Sequence, residues 1–254
     1  MTTRNFFVHV HIPKTAGKTF QSILIKNFPP PRYSAEYSII PIRFTADQIR
    51  QTILRYPDLQ AIGSHSIDLD LPFDMQEANV FAIAHVRSSA SRFISNYFYA
   101  RAQSVTEWTD AKTKTLHEIV SMLSPRCLAA SQLDWLVSNG KPHEKLKKVN
   151  SLLESGRLLL FSQEDFDLSC VILESLFPNE LSNCSYRHLN RSAKTEEINP
   201  ETLAKLNEAV SEHELELHRT AREFTTNLAE KLFGSARGAD EKLAEFRARN
   251  LQKP

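Results

Sequence analysis

The residues best suited to chemistry lie in two short runs. The first is His11-Ile12-Pro13-Lys14-Thr15-Ala16-Gly17-Lys18-Thr19-Phe20. It places two lysines, two threonine hydroxyls and a glycine in a turn that joins a strand-like run to a helix-like one. Backbone N–H groups at a helix start are unpaired and point outward, which makes an anion site. Lysines and hydroxyls add charge-assisted hydrogen bonds. This is chemistry for a phosphate or a sulfate. The second run, residues 85–101, begins His85-Val86-Arg87-Ser88-Ser89 and ends in Arg101. It puts Arg87 at the carboxyl end of a buried strand and beside a helix start, where a guanidinium suits a phosphate. In open α/β sheets that edge is where ligands bind. Phe93, Ile94, Tyr97 and Phe98 of the same run read as core.

Gly17-Lys18-Thr19 matches the end of the nucleotide-binding loop G-x-x-x-x-G-K-[ST], but Ile12 stands where its first glycine belongs. The strand ending in His85-Val86-Arg87 also lacks the acidic group that would hold Mg²⁺. The first run more closely resembles the 5′-phosphosulfate loop of sulfotransferases that use 3′-phosphoadenylyl sulfate (PAPS), in particular the carbohydrate 2-O- and 6-O-branch. That resemblance implies that Lys14, Thr15, Ala16, Gly17, Lys18 and Thr19 wrap the phosphosulfate. Lys18 departs from the Thr or Ser usual there. The second run resembles the family's 3′-phosphate motif, with Arg87, Arg92, Phe93, Ser95 and Tyr97 in register. By the resemblance Arg87 and Ser95 hold the 3′-phosphate, and Arg92 is a supporting cation. Ser88 and Ser89 replace the family's acidic or Asn residue and its proline, so the turn differs locally.

Between the two runs stands Ile62-Gly63-Ser64-His65. The related enzymes carry a glycine–histidine segment here, and a histidine titrates near neutrality, as a general base must. His65 is the candidate base, with Asp68 and Asp70 as alternatives and a structural histidine as the competing reading. Asn190, Arg191 and Ser192 resemble a late loop that closes over the nucleotide; solvated loop residues fit them equally well. Phe161 to Asp167 reads as architectural. His9 and His11 share one strand face, with no third metal ligand near in sequence, and read as structural. Leu203, Leu206, Val210, Leu217, Ala221, Phe224 and Leu228 form a near-helical stripe that reads as packing.

The elements that must position these groups alternate. Strands are expected at 5–12, 37–42, 61–63, 79–86 and 157–161. Helices are expected at 18–27, from a capping box at Thr45-Ala46-Asp47-Gln48 to Arg55, at 88–103, and at 164–176. Residues 111–155 read as mostly helical, with breaks near Pro125 and at Gly140–Pro142. Residues 199–233 read as one long helix or two, and the charged tail after Gly234 as frayed or a surface helix. The alternation implies an α/β, P-loop-like, three-layer fold: a mainly parallel sheet flanked by helices. We expect a single domain over residues 1–254, with a helical insertion at about 104–155, C-terminal helices and a tail at about 235–254.

The chain has 254 residues, 41% hydrophobic and 24% charged, with a formal net charge of +1. That is ordinary for a globular protein and does not call for nucleic acid or an acidic membrane. Cys127, Cys170 and Cys184 are widely spaced and odd in number, against a disulfide framework or a zinc site. The N-terminal apolar run is too short to span a bilayer. A cytoplasmic location is expected. The resemblance implies transfer of a sulfuryl group from PAPS, without metal, to an acceptor hydroxyl on a carbohydrate or glycoconjugate, with Lys14 and His65 catalytic. Alternatives are a P-loop small-molecule kinase and a non-catalytic nucleotide-binding protein. Arg101, Lys112, Lys114, Arg126, Lys141, Lys145, Lys147 and Lys148 could face an anionic glycan, or each could be a solvated cation.

Overall fold

A computed structural model describes residues 3–36, 43–103, 109–124, 131–187 and 197–251. The chain runs β1 (Arg4–Val10), α1 (Gly17–Asn27), β2 (Tyr33–Glu36), α2 (Ala46–Arg55), β3 (Ala61–Ser64), β4 (Ala78–Val86) and α3 (Ser89–Ala102). Then come α4 (Asp110–Thr113), α5 (Leu116–Ser121), α6 (Ser131–Leu136), α7 (Pro142–Glu154) and β5 (Leu158–Ser162). After a 3₁₀ turn at Gln163–Asp165 follow α8 (Phe166–Leu176), α9 (Pro200–Glu208), α10 (Glu212–Phe233) and α11 (Ala236–Leu251).

The five strands form one sheet in the order β2-β3-β1-β4-β5, every pair parallel. The period-2 alternation of strands sorts their side chains onto two faces. Phe6, Val8 and Val10 of β1, Ile62 of β3, Val80 to Val86 at even positions of β4, and Leu158 and Leu160 of β5 meet α2, α6 and α7. Phe7, Ile83, Leu159 and Phe161 face the other way, onto α1, α8 and α11. Helix α10 lies along the β5 edge and serves both, with Leu217 and Ala221 in the first layer and Ala229 in the second. Helices α3, α4, α5 and α9 share a separate small cluster around Tyr97, Phe98, Val120 and Leu206. The parallel three-layer arrangement agrees with the alternation read from sequence.

Several boundaries differ from expectation. The second strand lies at Tyr33–Glu36, just before the expected 37–42, which lies outside the described residues. The Thr45–Gln48 capping box is present, with both reciprocal bonds. Residues 199–233 are two helices, because Ser211 caps a fresh start by accepting from the Glu214 N–H. The break rotates the apolar stripe, so Leu203 is 42% exposed and not core, whereas Leu206, Val210, Leu217 and Ala221 are buried. The charged tail is a packed helix: Phe246 is buried, Arg249 pairs with Glu174, and Asn250 accepts from the Tyr186 N–H. Among the described residues, no helix is long and apolar enough to cross a membrane.

Candidate anion and acceptor site

The strand order reverses about β1, which lies between β3 and β4. Ligands of open α/β sheets bind in the crevice at such a switch point, beyond the carboxyl ends of the strands. The three candidate segments leave those ends: the β1–α1 turn, the residues after β3, and Arg87 after β4. Val10 stands beside Ser64 on one side and Ala84 on the other. Neighbouring strands lie about 4.8 Å apart, so this register gathers segments that are far apart in sequence.

In the β1–α1 turn, the left-handed conformations fall on residues other than the glycine. Lys14 has φ 67° and Ala16 has φ 68°. A side chain in that region strains the backbone, and such strain is concentrated at functional sites. Gly17 begins the helix and has a different task. A Cβ there would lie 1.9 Å from Cδ2 of His11, so the missing side chain lets the imidazole lie against the backbone. The Thr15 hydroxyl is buried and donates to the Ile12 carbonyl (2.9 Å), which closes the turn from inside. Thr19 is buried as well, while Lys18 is exposed. Thr15 therefore has its backbone N–H, not its hydroxyl, to offer an anion.

Lys14 is half-buried, with Nζ 4.0 Å from the centre of the Tyr99 ring. Burial, and then the nearby Arg87 and Lys18, push its pKa down to about 8. Three cations from two strand ends thus share one region. Arg87 is partly buried, and its Nε has no hydrogen-bond partner among the described residues. Burial lowers its pKa, and Glu164 opposes the shift. Ser95 is half-buried on α3. Arg92 reaches toward the Pro13 carbonyl (3.5 Å), a supporting contact between the two segments. Asn190, Arg191 and Ser192 lie outside the described residues.

His65 sits against this turn. Its ring centre is 3.9 Å from that of His11 and 6.0 Å from that of Trp135. Its Nδ1 lies 2.6 Å from the His11 carbonyl oxygen. A carbonyl only accepts, so Nδ1 carries the proton and, in the neutral ring, Nε2 carries the lone pair. Burial lowers the His65 pKa against the raising effect of that bond, and Lys18 lowers it further. The ring is therefore neutral near pH 7 in the tautomer a base requires. Asp68 is occupied: it accepts from the Asp70 and Ser138 N–H groups and lies 3.6 Å from Arg43. Asp70 is exposed.

Four histidines line the interior under the turn. His9 stacks on His11 at 4.9 Å, and Phe20 contacts both His9 and His85. Burial first, then neighbouring imidazoles, hold His9 well below its usual pKa. Burial takes His11 to about 3, with help from His65, Lys18 and His85, and burial takes His85 to about 3. The Ser169 hydroxyl gives its proton to the Phe166 carbonyl, so His85 Nε2 donates to Ser169. Among the described residues, no group of three His, Cys, Asp or Glu is placed to hold a metal.

Sequence reasoning missed the supports of Arg87. Gln132 accepts from the Arg87 N–H (2.8 Å) and donates to the Arg87 carbonyl (2.8 Å). Glu164, read as architectural, accepts from the Ser88 N–H and faces Arg87. Burial alone would raise the Glu164 pKa, but bonds from His218, the Ser88 N–H and Ser162 hold it at about 2. No local signal marks these residues, because each partner is remote in sequence. Of the cations considered for a glycan, Lys145 is buried against Asp134, Lys114 pairs with Asp110, Arg101 donates to the Tyr97 hydroxyl, and Arg126 lies outside the described residues.

No family model matches the chain, and no curated protein matches it. Among solved structures the chain is similar to mouse sulfotransferase SULT7A1 complexed with PAP. The identity is 12% over 97% of this chain and 89% of that chain, with a TM-score of 0.37. A likeness at that level bears on neither activity nor residue roles.

Proposed function

We propose that the protein is a sulfotransferase that moves a sulfuryl group from PAPS to an acceptor hydroxyl, on a carbohydrate or glycoconjugate. One observation carries the reading: Arg87, from a different strand end, lies close enough to Lys14 to help lower the Lys14 pKa, and its own buried Nε lacks a partner among the described residues. Such a cluster is costly until an anion enters it. A ligand with separated phosphates fits two cationic segments better than a single phosphate does.

PAPS, when bound, supplies the sulfuryl group: the acceptor oxygen bonds to sulfur as the sulfur–oxygen bond to the 5′-phosphate breaks. The turn's backbone N–H groups, with Lys14 and Lys18, bind the phosphosulfate end. Arg87, with Ser95, binds the 3′-phosphate. Lys14 neutralises the charge that grows on the leaving oxygen, as preorganised cations do in phosphoryl transfer. His65 Nε2 takes the acceptor proton, with Nδ1 fixed by the His11 carbonyl. The acceptor approaches beside Trp135.

The test is thermal unfolding with adenosine 3′,5′-bisphosphate in chelator. A ligand that binds the native state at 100 times its Kd stabilises by about 2.7 kcal/mol, a shift of several degrees for a chain of this size. The bisphosphate should raise Tm without metal and more than ATP does. A shift seen only with Mg-ATP would replace this reading with the kinase one.

A further inference from the structure

We infer that Glu214 and Gln132 are positioning residues that set the Arg87 anion site, an inference that rests on the function proposed above. Glu214 is 1% exposed, at the start of α10. Its Oε1 accepts from the backbone N–H groups of Gln132 and Leu133, both at 2.9 Å. Its Oε2 accepts from the Ser89 hydroxyl at 2.8 Å and from Gln132 Nε2 at 3.0 Å. A carboxylate has about four acceptor positions, and here all four are used. Gln132, 0% exposed, spends the rest of its amide on the Arg87 backbone, one bond to each side of the residue.

The network thus fixes Arg87 from behind. Its N–H and C=O are tied to Gln132, the next-but-one residue is tied to Glu214, and both ties end on one buried carboxylate. The guanidinium itself takes no part, which leaves its Nε for a ligand. Glu214 also faces Arg92, whose charge it favours and whose NH1 points toward the Pro13 carbonyl. A single buried acid therefore organises the second anion segment and its link to the first. Buried networks of this kind are rigid when every member is satisfied.

The experiment is a double-mutant cycle read by calorimetry with adenosine 3′,5′-bisphosphate, at low salt so that weak variants stay measurable. Gln132→Met keeps the volume and removes the clamp on Arg87; Glu214→Gln keeps the shape and replaces two acceptor positions with donors. Each should weaken binding on the order of tenfold, as loss of one or two buried hydrogen bonds does. In an Arg87→Ala background Gln132→Met should cost almost nothing more, because its effect runs through Arg87. A general structural defect would add in full to Arg87→Ala. Wild-type affinity in Gln132→Met, or fully additive losses, would overturn the positioning role while leaving the anion site in place. A folded wild type that does not bind the bisphosphate would overturn both. If Glu214→Gln does not fold by circular dichroism, the Gln132→Met cycle decides.

Discussion

The two anion segments are built in opposite ways. The β1–α1 turn is local. Its strain sits on Lys14 and Ala16, its internal bond runs from Thr15 to Ile12, and its close packing is of Gly17 on His11. The Arg87 segment is held from a distance, by Gln132, Glu164 and Glu214 on other elements. A local cradle is preformed by nearby residues, whereas a remote one depends on the whole fold. Substitutions in the first should change chemistry with little loss of fold; substitutions behind the second should change binding and stability together.

The largest expected effects separate two residues of the first segment's surroundings. His65→Ala should lower single-turnover sulfation by about 10²–10⁴-fold, the range for a positioned base, with bisphosphate affinity near wild type. Lys14→Ala should lower turnover by about 10²–10³-fold, more than it lowers affinity, because its contact strengthens as charge develops. If His65→Ala loses affinity instead, His65 belongs to the nucleotide site. The Lys14 pKa of about 8 adds a pH signature. The cation is lost as pH rises through about 8, so bisphosphate affinity should fall there, and Lys14→Arg should move that limb to higher pH.

A smaller effect concerns stability in acid. His9, His11 and His85 are buried and neutral, with folded pKa values below the usual 6.5. Below 6.5 the unfolded chain binds these protons and the native state does not, until about pH 3 for His11 and His85. Stability should therefore fall as pH drops through that window, by up to about 1.4 kcal/mol per pH unit for each histidine. Urea midpoints of wild type and His85→Phe from pH 7 to 4 check this. The variant should show the shallower slope; equal slopes would mean that His85 is protonated in the native state.

The smallest effect tests whether the turn is strained as drawn. Alanine in the left-handed region costs about 1–2 kcal/mol, and glycine there costs less but adds about 0.4–1 kcal/mol of freedom to the unfolded chain. Ala16→Gly should stabilise by a net of about 0.5 kcal/mol, a Tm rise of about 1–2 °C. A fall in Tm would place Ala16 outside that conformation.

The same contrast decides what could be read in advance. The β1–α1 turn, the strand ending at Arg87 and the Thr45 capping box rest on neighbours within a few residues, so residue type and spacing reveal them. Gln132 and Glu214 looked like any polar residues in helical stretches; only the fold brings them to Arg87. Leu203 was misplaced because one serine cap, Ser211, turns the apolar stripe. Residue types left the tail as either frayed or a surface helix; it is the helix, and the ties that hold it, Arg249 to Glu174 and Asn250 to Tyr186, cross long stretches of chain that local patterning does not reveal.

The buried carboxylate also sets an order of events during synthesis. Glu214 follows its partner Ser89 by 125 residues. At 5–20 residues per second a ribosome needs roughly 6–25 s to cover that distance. Over that interval β1, β3 and β4 and the first anion turn are already made, while Ser89, and Gln132 once it is added, lack their common acceptor. The second cradle is therefore completed only when α10 arrives, and a nascent chain stopped before it carries half of the site.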